Sequence, residues 1–283
     1  MKKIAVISDI HGNYKALEAF LEFIKQDPVD GIICLGDYVT DGPYPERLLA
    51  MLYQMREDYQ CFMLRGNREE YLIDNFHTPR GWHPSSPNGA LYYTSLHVTA
   101  EDIAFFESLP SEDTVRIPGY LDIVICHGAP GKIRGNFLYE KELMDQVMRE
   151  LPARYLLGGH SHEQSVDEMY GKWYINPGSL GLAIDGVGRR AQFAVLYGDE
   201  KNGGFWTPEL YGIPYDVDGF LRDFAESGLD EYSKVLGRAV KKTLVTGVNY
   251  FYMAVCEACD LSEMPLDQTP EDIWDQVAAK LEL

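Results

Sequence analysis

Short apolar runs alternate with segments of helical hydrophobic spacing along about the first 198 residues of the chain. Most of the runs are continuous and rich in Ile, Val, Leu, Tyr or Phe, which is typical of strands buried on both faces. They predict seven strands: Ile4–Ser8, Gly31–Leu35, Cys61–Leu64, Leu121–Cys126, Tyr155–Leu157, Trp173–Ile175 and Gln192–Tyr197.

Helical segments lie between these strands. Residues 17–24 and 48–55 repeat apolar side chains every three to four positions, the spacing of one helix face. Thr99, followed three residues later by Asp102, is typical of a helix start. Alternating strands and helices predict an α/β sheet protein.

Two segments break this alternation. Residues 77–98 are rich in Pro, Gly, Ser and aromatic residues, which favours a lid or a binding loop but equally allows a surface excursion. Residues from about 205 onward have mainly helical spacing. We therefore expect one domain over 1–200, carrying the lid-like insertion, and a mainly helical extension over 201–283 that packs on it and has no chemistry of its own.

Composition and charge narrow the functional classes. The 283 residues carry a formal net charge of −19, which argues against nonspecific binding to nucleic acids or acidic membranes. The apolar run near the start is too short for a secretory signal. The five cysteines follow no framework, so we expect reduced thiols and a cytoplasmic protein. Cys256 and Cys259 form a lone CxxC without further ligands, which we interpret as structural.

Polar side chains follow five of the predicted strands at the point where each strand ends. Because ligands bind outside the carboxyl ends of strands in open α/β sheets, these side chains are expected to meet at one edge. Glycines beside them allow sharp turns and close backbone approach. The seven residues are Asp9, His11, Asp37, Asn67, His127, His160 and His162.

Carboxylate, imidazole and amide groups without thiolate predict a site for catalytic metals such as Mn, Fe, Zn or Ni. Two metals about 3.5–4 Å apart can share one carboxylate and promote hydrolysis. His77, His83 and His97 lie in the insertion, outside this context, and are interpreted as structural.

The ordered blocks DIHGN, GDYVTDG, GNRE, CHG and GGHSH resemble those of the calcineurin-like metallophosphoesterase superfamily. The details GDYVTDGPYP and INPGSLG look most like its small bacterial phosphodiesterase branch. The resemblance covers roughly residues 1–197 and implies a four-layer α-β-β-α sandwich. It also implies that Asp9, His11 and His162 hold one metal, that Asn67, His127 and His160 hold the other, and that Asp37 bridges them.

The resemblance implies a dimetal-dependent phosphoesterase, with Mn favoured. Its substrate would be a small phosphodiester or a nucleotide polyphosphate, with a dinucleoside polyphosphate as a named candidate. A hydroxide bridging the metals would attack phosphorus, and Asn67 would help to stabilise the phosphate oxygens. Two alternatives are an inactive metal-binding scaffold of the same fold and a protein phosphatase.

Arg68 departs from the family pattern, in which many members carry a histidine after the Gly-Asn pair as the proposed general acid. Arginine stays protonated and cannot donate a proton near neutrality. We therefore predict a preference for good leaving groups. Arg68 is expected to bind a phosphate oxygen pair. The alternative is that it only pairs with Glu69 or Glu70.

The insertion supplies candidates for substrate binding. Arg80 can contact phosphate, and Trp82, together with Tyr92 and Tyr93, can stack on a base. The expected partner is a small phosphate-bearing molecule, with no membrane involved, and the tyrosine content and helical extension leave a homo-oligomer open.

Overall fold

Ten β-strands form two five-stranded sheets in the computed structural model, which describes residues 2–283. The strands are β1 (Lys2–Ile7), β2 (Gly31–Cys34), β3 (Cys61–Met63), β4 (Glu112–Val115), β5 (Ile123–Cys126), β6 (Tyr155–Leu157), β7 (Gln164–Met169), β8 (Lys172–Pro177), β9 (Arg190–Asp199) and β10 (Phe205–Pro214). Over the same range the α-helices are α1 (Tyr14–Gln26), α2 (Pro45–Asp58), α3 (Asn67–His77), α4 (Gly89–Ser95), α5 (Ala100–Ser108), α6 (Lys141–Glu150), α7 (Val217–Glu226), α8 (Leu229–Thr246), α9 (Tyr250–Ser262) and α10 (Glu271–Leu281).

Each sheet has parallel strands at its centre and antiparallel strands at an edge. The first sheet has the order β10-β9-β1-β2-β3, with β1 parallel to β2 and β2 parallel to β3. The second sheet has the order β4-β5-β6-β8-β7, with β5, β6 and β8 parallel. The parallel strands therefore end at the same edge of their sheet, as the sequence predicted.

The alternation of side chains along the strands builds the layers. Ile4 and Val6 of β1 pack with Ile123 and Ile125 of β5 in a core between the two sheets. The intervening residues of β1 face the opposite way and pack against helices that include α1 and α2. On the far side of the second sheet, a third core packs against α6. This arrangement confirms the predicted four-layer α-β-β-α fold.

The edges of the sheets depart from the sequence prediction. Residues 205–214, which we expected to begin the helical region, form the strand β10 instead, and β10 pairs antiparallel with β9 along its whole length. The edge strands β4 and β7 were also not predicted. All three carry polar or exposed residues because one side of each strand faces solvent.

Helices α7 to α10 follow β10. Trp274 of α10 is fully buried against α8 and α9, in a core that these three helices form.

Residues 77–98 include α4, and Ser86 in this segment forms two hydrogen bonds with Glu271 at the start of α10. The Ser86 hydroxyl donates to Glu271 Oε2 at 2.9 Å, and the Ser86 backbone N–H donates to Oε1 at 2.7 Å. None of the helices found between residues 2 and 283 is long and apolar enough to cross a membrane.

Candidate metal centre

The structure brings together all seven side chains that were predicted at the strand ends. Four of them follow strands of the first sheet and three follow strands of the second, so the centre lies where the two sheet edges meet. His11 Nε2 is 3.0 Å from His162 Nε2, and His127 Nε2 is 3.2 Å from Asn67 Oδ1. Residues from opposite sheets are thus in direct contact.

Six of these residues form two groups that could each hold a cation. In each group, one potential ligand atom from every residue lies within 4.8 Å of the others. Asp37 Oδ2 lies 3.4 Å from His127 Nε2 of its own group and 3.8 Å from His11 Nε2 of the other, so this oxygen stands between the groups. The groups are Asp9, His11 and His162, and Asp37, His127 and His160.

The hydrogen bonds of the histidines direct their lone pairs inward. His127 Nδ1 donates to the Leu35 carbonyl at 2.8 Å, and His162 Nδ1 donates to the Leu182 carbonyl at 2.9 Å. With one proton held on Nδ1 by this bond, the ring that has lost its other proton would present the lone pair of Nε2 to a cation at the centre. Ligand histidines in metal sites are oriented by this kind of bond.

Hydrogen bonds also orient the carboxylates of Asp9 and Asp37. Asp9 Oδ2 accepts from the Ser8 hydroxyl and from the His160 N–H, and Asp37 Oδ1 accepts from the Arg68 N–H at 2.8 Å. The other oxygen of Asp9, Oδ1, is buried without a hydrogen-bond partner in residues 2–283 and lies 3.3 Å from His162 Nε2. A buried, unpartnered carboxylate oxygen beside imidazole nitrogens fits a divalent cation.

The backbone at the centre is held in an uncommon conformation. Five of the seven residues have φ between 48° and 63°, in the left-handed region that non-glycine residues rarely adopt. Such strain persists only where the surrounding structure fixes it, and it is concentrated at functional sites. The five are Asp9, His11, Asp37, His160 and His162.

Without a bound cation, charge and burial act against each other in this cluster. Burial tends to lower the pKa of His127, but Asp37 and Asp9 outweigh it and raise that pKa to about 10. Burial also tends to lower the pKa of His11, but the surrounding aspartates, Asp41 foremost, outweigh it and raise that pKa to about 9. Burial and the charge of His127 lower the pKa of His160 to about 4. In the metal-free protein the carboxylates therefore keep His11 and His127 protonated, and these positive charges stand where a cation would bind.

Comparison with known proteins identifies the family. The profile of the calcineurin-like phosphoesterase superfamily domain matches residues 1–201. The chain belongs to the calcineurin-like phosphoesterase superfamily. This match confirms the resemblance seen in the sequence motifs. The protein is therefore a metal-dependent phosphoesterase.

Individual relatives extend over more of the chain than the family profile does. An uncharacterised protein of Methanocaldococcus jannaschii is 26% identical over 245 residues, 81% of this chain and 94% of that protein. The structure is similar to a metallophosphoesterase from Sphaerobacter thermophilus, with a TM-score of 0.66 and 23% identity over 87% of this chain and 100% of that one. It is also similar to the hypothetical protein PH1004 from Pyrococcus horikoshii, with a TM-score of 0.72 and 20% identity over 87% and 99% of the two chains.

In this metallophosphoesterase, Arg68 pairs with a residue that the sequence analysis did not single out. Its Nη2 lies 3.1 Å from Asp41 Oδ2, and the same oxygen lies 3.1 Å from His11 Nδ1. Glu69 and Glu70, the partners considered from the sequence, are engaged elsewhere: Glu69 with backbone amides and Glu70 with Arg65. Asp41 therefore links the arginine to the metal centre.

Glu69 joins the loops that follow β2 and β3. Its carboxylate accepts from the backbone N–H groups of Asp37, Tyr38 and Gly66 at 2.7 to 2.9 Å. Burial, followed by the nearby Asp37 charge, raises the pKa of Glu69 to about 7. Its place in the first turn of α3 is the sequence signal that could have indicated this capping role.

A cavity of about 250 Å³ opens above the metal centre. Its lining includes two side chains from each candidate group, together with Asn67 and Arg68. The rest of the lining consists of Asn136, Tyr139, Ser161, Leu182, Ile184, Asn249, Phe251 and Tyr252.

The predicted substrate residues of the insertion lie elsewhere. Arg80 is exposed, and its Nη2 donates to Asp74 Oδ2 at 2.8 Å. Trp82 is partly buried against the helix-side core of the first sheet, and Tyr93 is buried there. Within residues 2–283, the cavity lining includes none of these, nor Tyr92. The structure therefore groups Arg68 with the metal centre and leaves Arg80 and Trp82 outside the cavity.

Proposed function

We propose that this metallophosphoesterase uses two divalent cations to hydrolyse a small phosphodiester or a nucleotide polyphosphate. The observation that supports this most strongly is the pair of donor groups that both contribute to the lining of one cavity, with a carboxylate oxygen of Asp37 between them. One ion would be held by Asp9, His11 and His162. Asn67, His127 and His160 would hold the other, with Asp37 shared, and Mn is favoured among Mn, Fe, Zn and Ni.

Two bound cations would supply positive charge for the phosphate and would lower the pKa of water toward about 7. Side chains that line the cavity would bind the phosphate and stabilise its charge. Asn67 Oδ1 points toward His127, which leaves the Asn67 amide NH₂ to donate to a phosphate oxygen. Donors fixed in advance stabilise the charge that develops on those oxygens during the reaction.

Arg68 is the second proposed substrate contact. Asp41 binds one nitrogen of its guanidinium, and the group presents five N–H donors in all, so others remain for phosphate. Burial tends to lower the pKa of Arg68, but Asp41 and Asp37 outweigh it and raise that pKa further. Arg68 thus binds and orients phosphate and does not serve as a proton donor.

Arg80 and Trp82 remain proposals for contacts outside the cavity. If Trp82→Ala leaves the Michaelis constant for a nucleotide substrate unchanged, the stacking role of Trp82 is wrong. We also propose a cytoplasmic location, which the five free cysteines support because reducing compartments keep thiols unpaired.

The test is hydrolysis of bis(p-nitrophenyl) phosphate by metal-stripped protein to which Mn²⁺ is added, with EDTA as the reversal. We expect metal-dependent turnover that His127→Asn reduces by at least about 100-fold, because a buried ligand is lost. His83→Asn is the matched control, since His83 is exposed and lies outside the cavity. Absence of turnover in protein shown to hold two metals would favour the inactive scaffold.

A further inference from the structure

Two exposed tyrosine rings stack on each other at the wall of the cavity. Tyr139 lies in the loop between β5 and α6, and Tyr252 lies in the first turn of α9. Their ring centroids are 5.6 Å apart and their planes differ by 17°. The two residues are 59% and 47% exposed, so burial in a core does not account for this placement. Together they form an exposed, stacked aromatic pair on the lining of the cavity.

Two asparagines line the cavity next to these rings. Asn136 Oδ1 accepts from the Leu138 N–H, and Asn249 Oδ1 accepts from the Tyr252 N–H, both at 3.0 Å. These bonds fix which end of each amide faces the backbone. Neither Nδ2 donates to any group in the part of the chain that the structure describes, so both NH₂ groups remain available as donors on the cavity lining.

We propose that these four residues, the tyrosine–asparagine rim, bind the base of a nucleotide substrate. This inference rests on the proposed phosphoesterase function and names the substrate class of the same site. The base would stack on an open outer face of the tyrosine pair, which the second ring supports from behind, and Asn136 and Asn249 would donate to its acceptor atoms. Aromatic side chains bind bases in this way because every base has a π-face.

The size of the cavity favours this placement. Pockets for drug-sized ligands usually enclose about 300–1,000 Å³, and this one encloses about 250 Å³. A nucleotide whose phosphate lies on the metal centre must therefore extend to the mouth of the cavity. The rim residues belong to the same cavity lining and its two tyrosines are exposed to solvent, so they can meet such an extension.

The charge of the rim favours a base over further phosphate groups. Of the residues that line the cavity, Arg68 is the sole lysine or arginine, and it is paired with Asp41. The rim side chains are neutral, and the chain as a whole has a net charge of −19. A neutral, planar group gains more at this surface than an additional anion does.

The rim changes the expected role of the helical extension. Asn249 and Tyr252 belong to the region after residue 201, outside the family profile match. We expected no chemistry in this region and assigned base stacking to the insertion. The inferred base contacts instead come from α9 and from the loop before α6.

A pair of diesters with one leaving group tests the inference in the metal-loaded protein. Thymidine 5′-(p-nitrophenyl) phosphate carries a base, and methyl p-nitrophenyl phosphate does not. We expect wild-type kcat/KM to be at least about tenfold higher for the nucleotidyl ester, as base stacking on aromatic residues provides. Tyr252→Ala and Tyr139→Ala should each lower this ratio, and the double variant should bring it close to one. Tyr252→Phe should keep it.

Tyr170→Ala is the matched control, because Tyr170 is also exposed but lies outside the cavity lining. It should leave the ratio unchanged. A wild-type ratio near one, or a ratio that survives the double variant, overturns the inference while leaving the proposed function in place. If the protein holds two metals and hydrolyses neither ester, the proposed function itself is contradicted.

Binding of products gives a second readout that does not depend on turnover. AMP and ribose 5-phosphate share a phosphate monoester and differ by the base. Calorimetry on metal-loaded protein should show AMP binding about tenfold more tightly, with the difference lost in the Tyr139→Ala/Tyr252→Ala double variant. Equal affinities for the two ligands in the wild type would also overturn the inference.

Discussion

Asp41 accepts from the Arg68 guanidinium and contacts the His11 ring through the same oxygen, Oδ2, at 3.1 Å in both cases. The Thr40 hydroxyl donates to this oxygen as well, at 2.9 Å. One buried carboxylate therefore sets the tautomer of a proposed metal ligand and the orientation of a proposed substrate contact. It would therefore couple the candidate metal centre to the proposed phosphate contact.

Replacing Asp41 should affect both functions of this carboxylate. We expect Asp41→Asn to weaken Mn²⁺ binding about 10- to 100-fold, as loss of a hydrogen-bond partner of a ligand histidine does. It should also raise the KM for bis(p-nitrophenyl) phosphate, because Arg68 loses its fixed partner. Calorimetry and steady-state kinetics measure the two effects. Asp113→Asn, which removes one exposed charge, is the control, and unchanged metal affinity in Asp41→Asn would refute the coupling.

Arg68 in place of an acid should make turnover depend steeply on the leaving group. General acid catalysis typically contributes about 10²–10⁴ in rate, and its absence matters most for leaving groups that are poor as anions. A series of aryl phosphodiesters should show rates that fall as the pKa of the leaving group rises. Arg68→His should flatten this dependence by about tenfold across the series, while Arg80→His should not. A flat dependence in the wild type would show the prediction to be wrong.

Metal binding should release protons near neutral pH. The pKa values of about 9 for His11 and about 10 for His127 mean that both rings are protonated in the metal-free protein at pH 7. Loading with Mn²⁺ at pH 7 should therefore release about two protons, and affinity should rise with pH up to about 9 to 10. Calorimetry in buffers of different ionisation enthalpy measures the release. Loading at pH 7 without proton release would contradict the assignment.

The same raised pKa values affect the stability of the metal-free protein. Their contribution is fully present below the ordinary histidine pKa of 6.5 and is lost as the pH rises through about 9 to 10. The stabilisation gained on adding Mn²⁺, measured as the shift in Tm, should therefore increase from pH 6 to pH 8.

Gly66 should be essential because its backbone packs closely against Asp37, the proposed bridging carboxylate. A Cβ atom there would lie 2.2 Å from Asp37 Oδ1 and 2.5 Å from the Asp37 nitrogen. We expect Gly66→Ala to lower the free energy of unfolding by about 1–3 kcal/mol and to reduce the metal content at saturating Mn²⁺. Gly212→Ala is the control, since its new Cβ would meet Arg190 Cδ at an ordinary 3.5 Å. Equal metal content in both variants would argue against a shared role for Asp37.

The centre of the fold and the seven-residue cluster could be predicted from the sequence because both depend on local patterns. Strands buried on both faces are continuous apolar runs, and their ends carry the polar residues. The strand β10 was missed because its half-exposed sequence, which contains Pro208, lacks such a run. Asp41 lies in a motif that was recognised, but nothing local indicates that its partners are 27 and 30 residues away. Tyr139 and Tyr252, 113 residues apart, meet only through tertiary packing.

Anomalous diffraction from crystals grown with Mn²⁺, recorded above the Mn absorption edge, tests the two-cation assignment most directly. The assignment predicts two peaks in the anomalous difference map. One peak should lie among Asp9, His11 and His162, the other should lie beside His127 and His160, and Asp37 should lie between them. A single peak within this cluster, or peaks only outside it, would contradict the assignment.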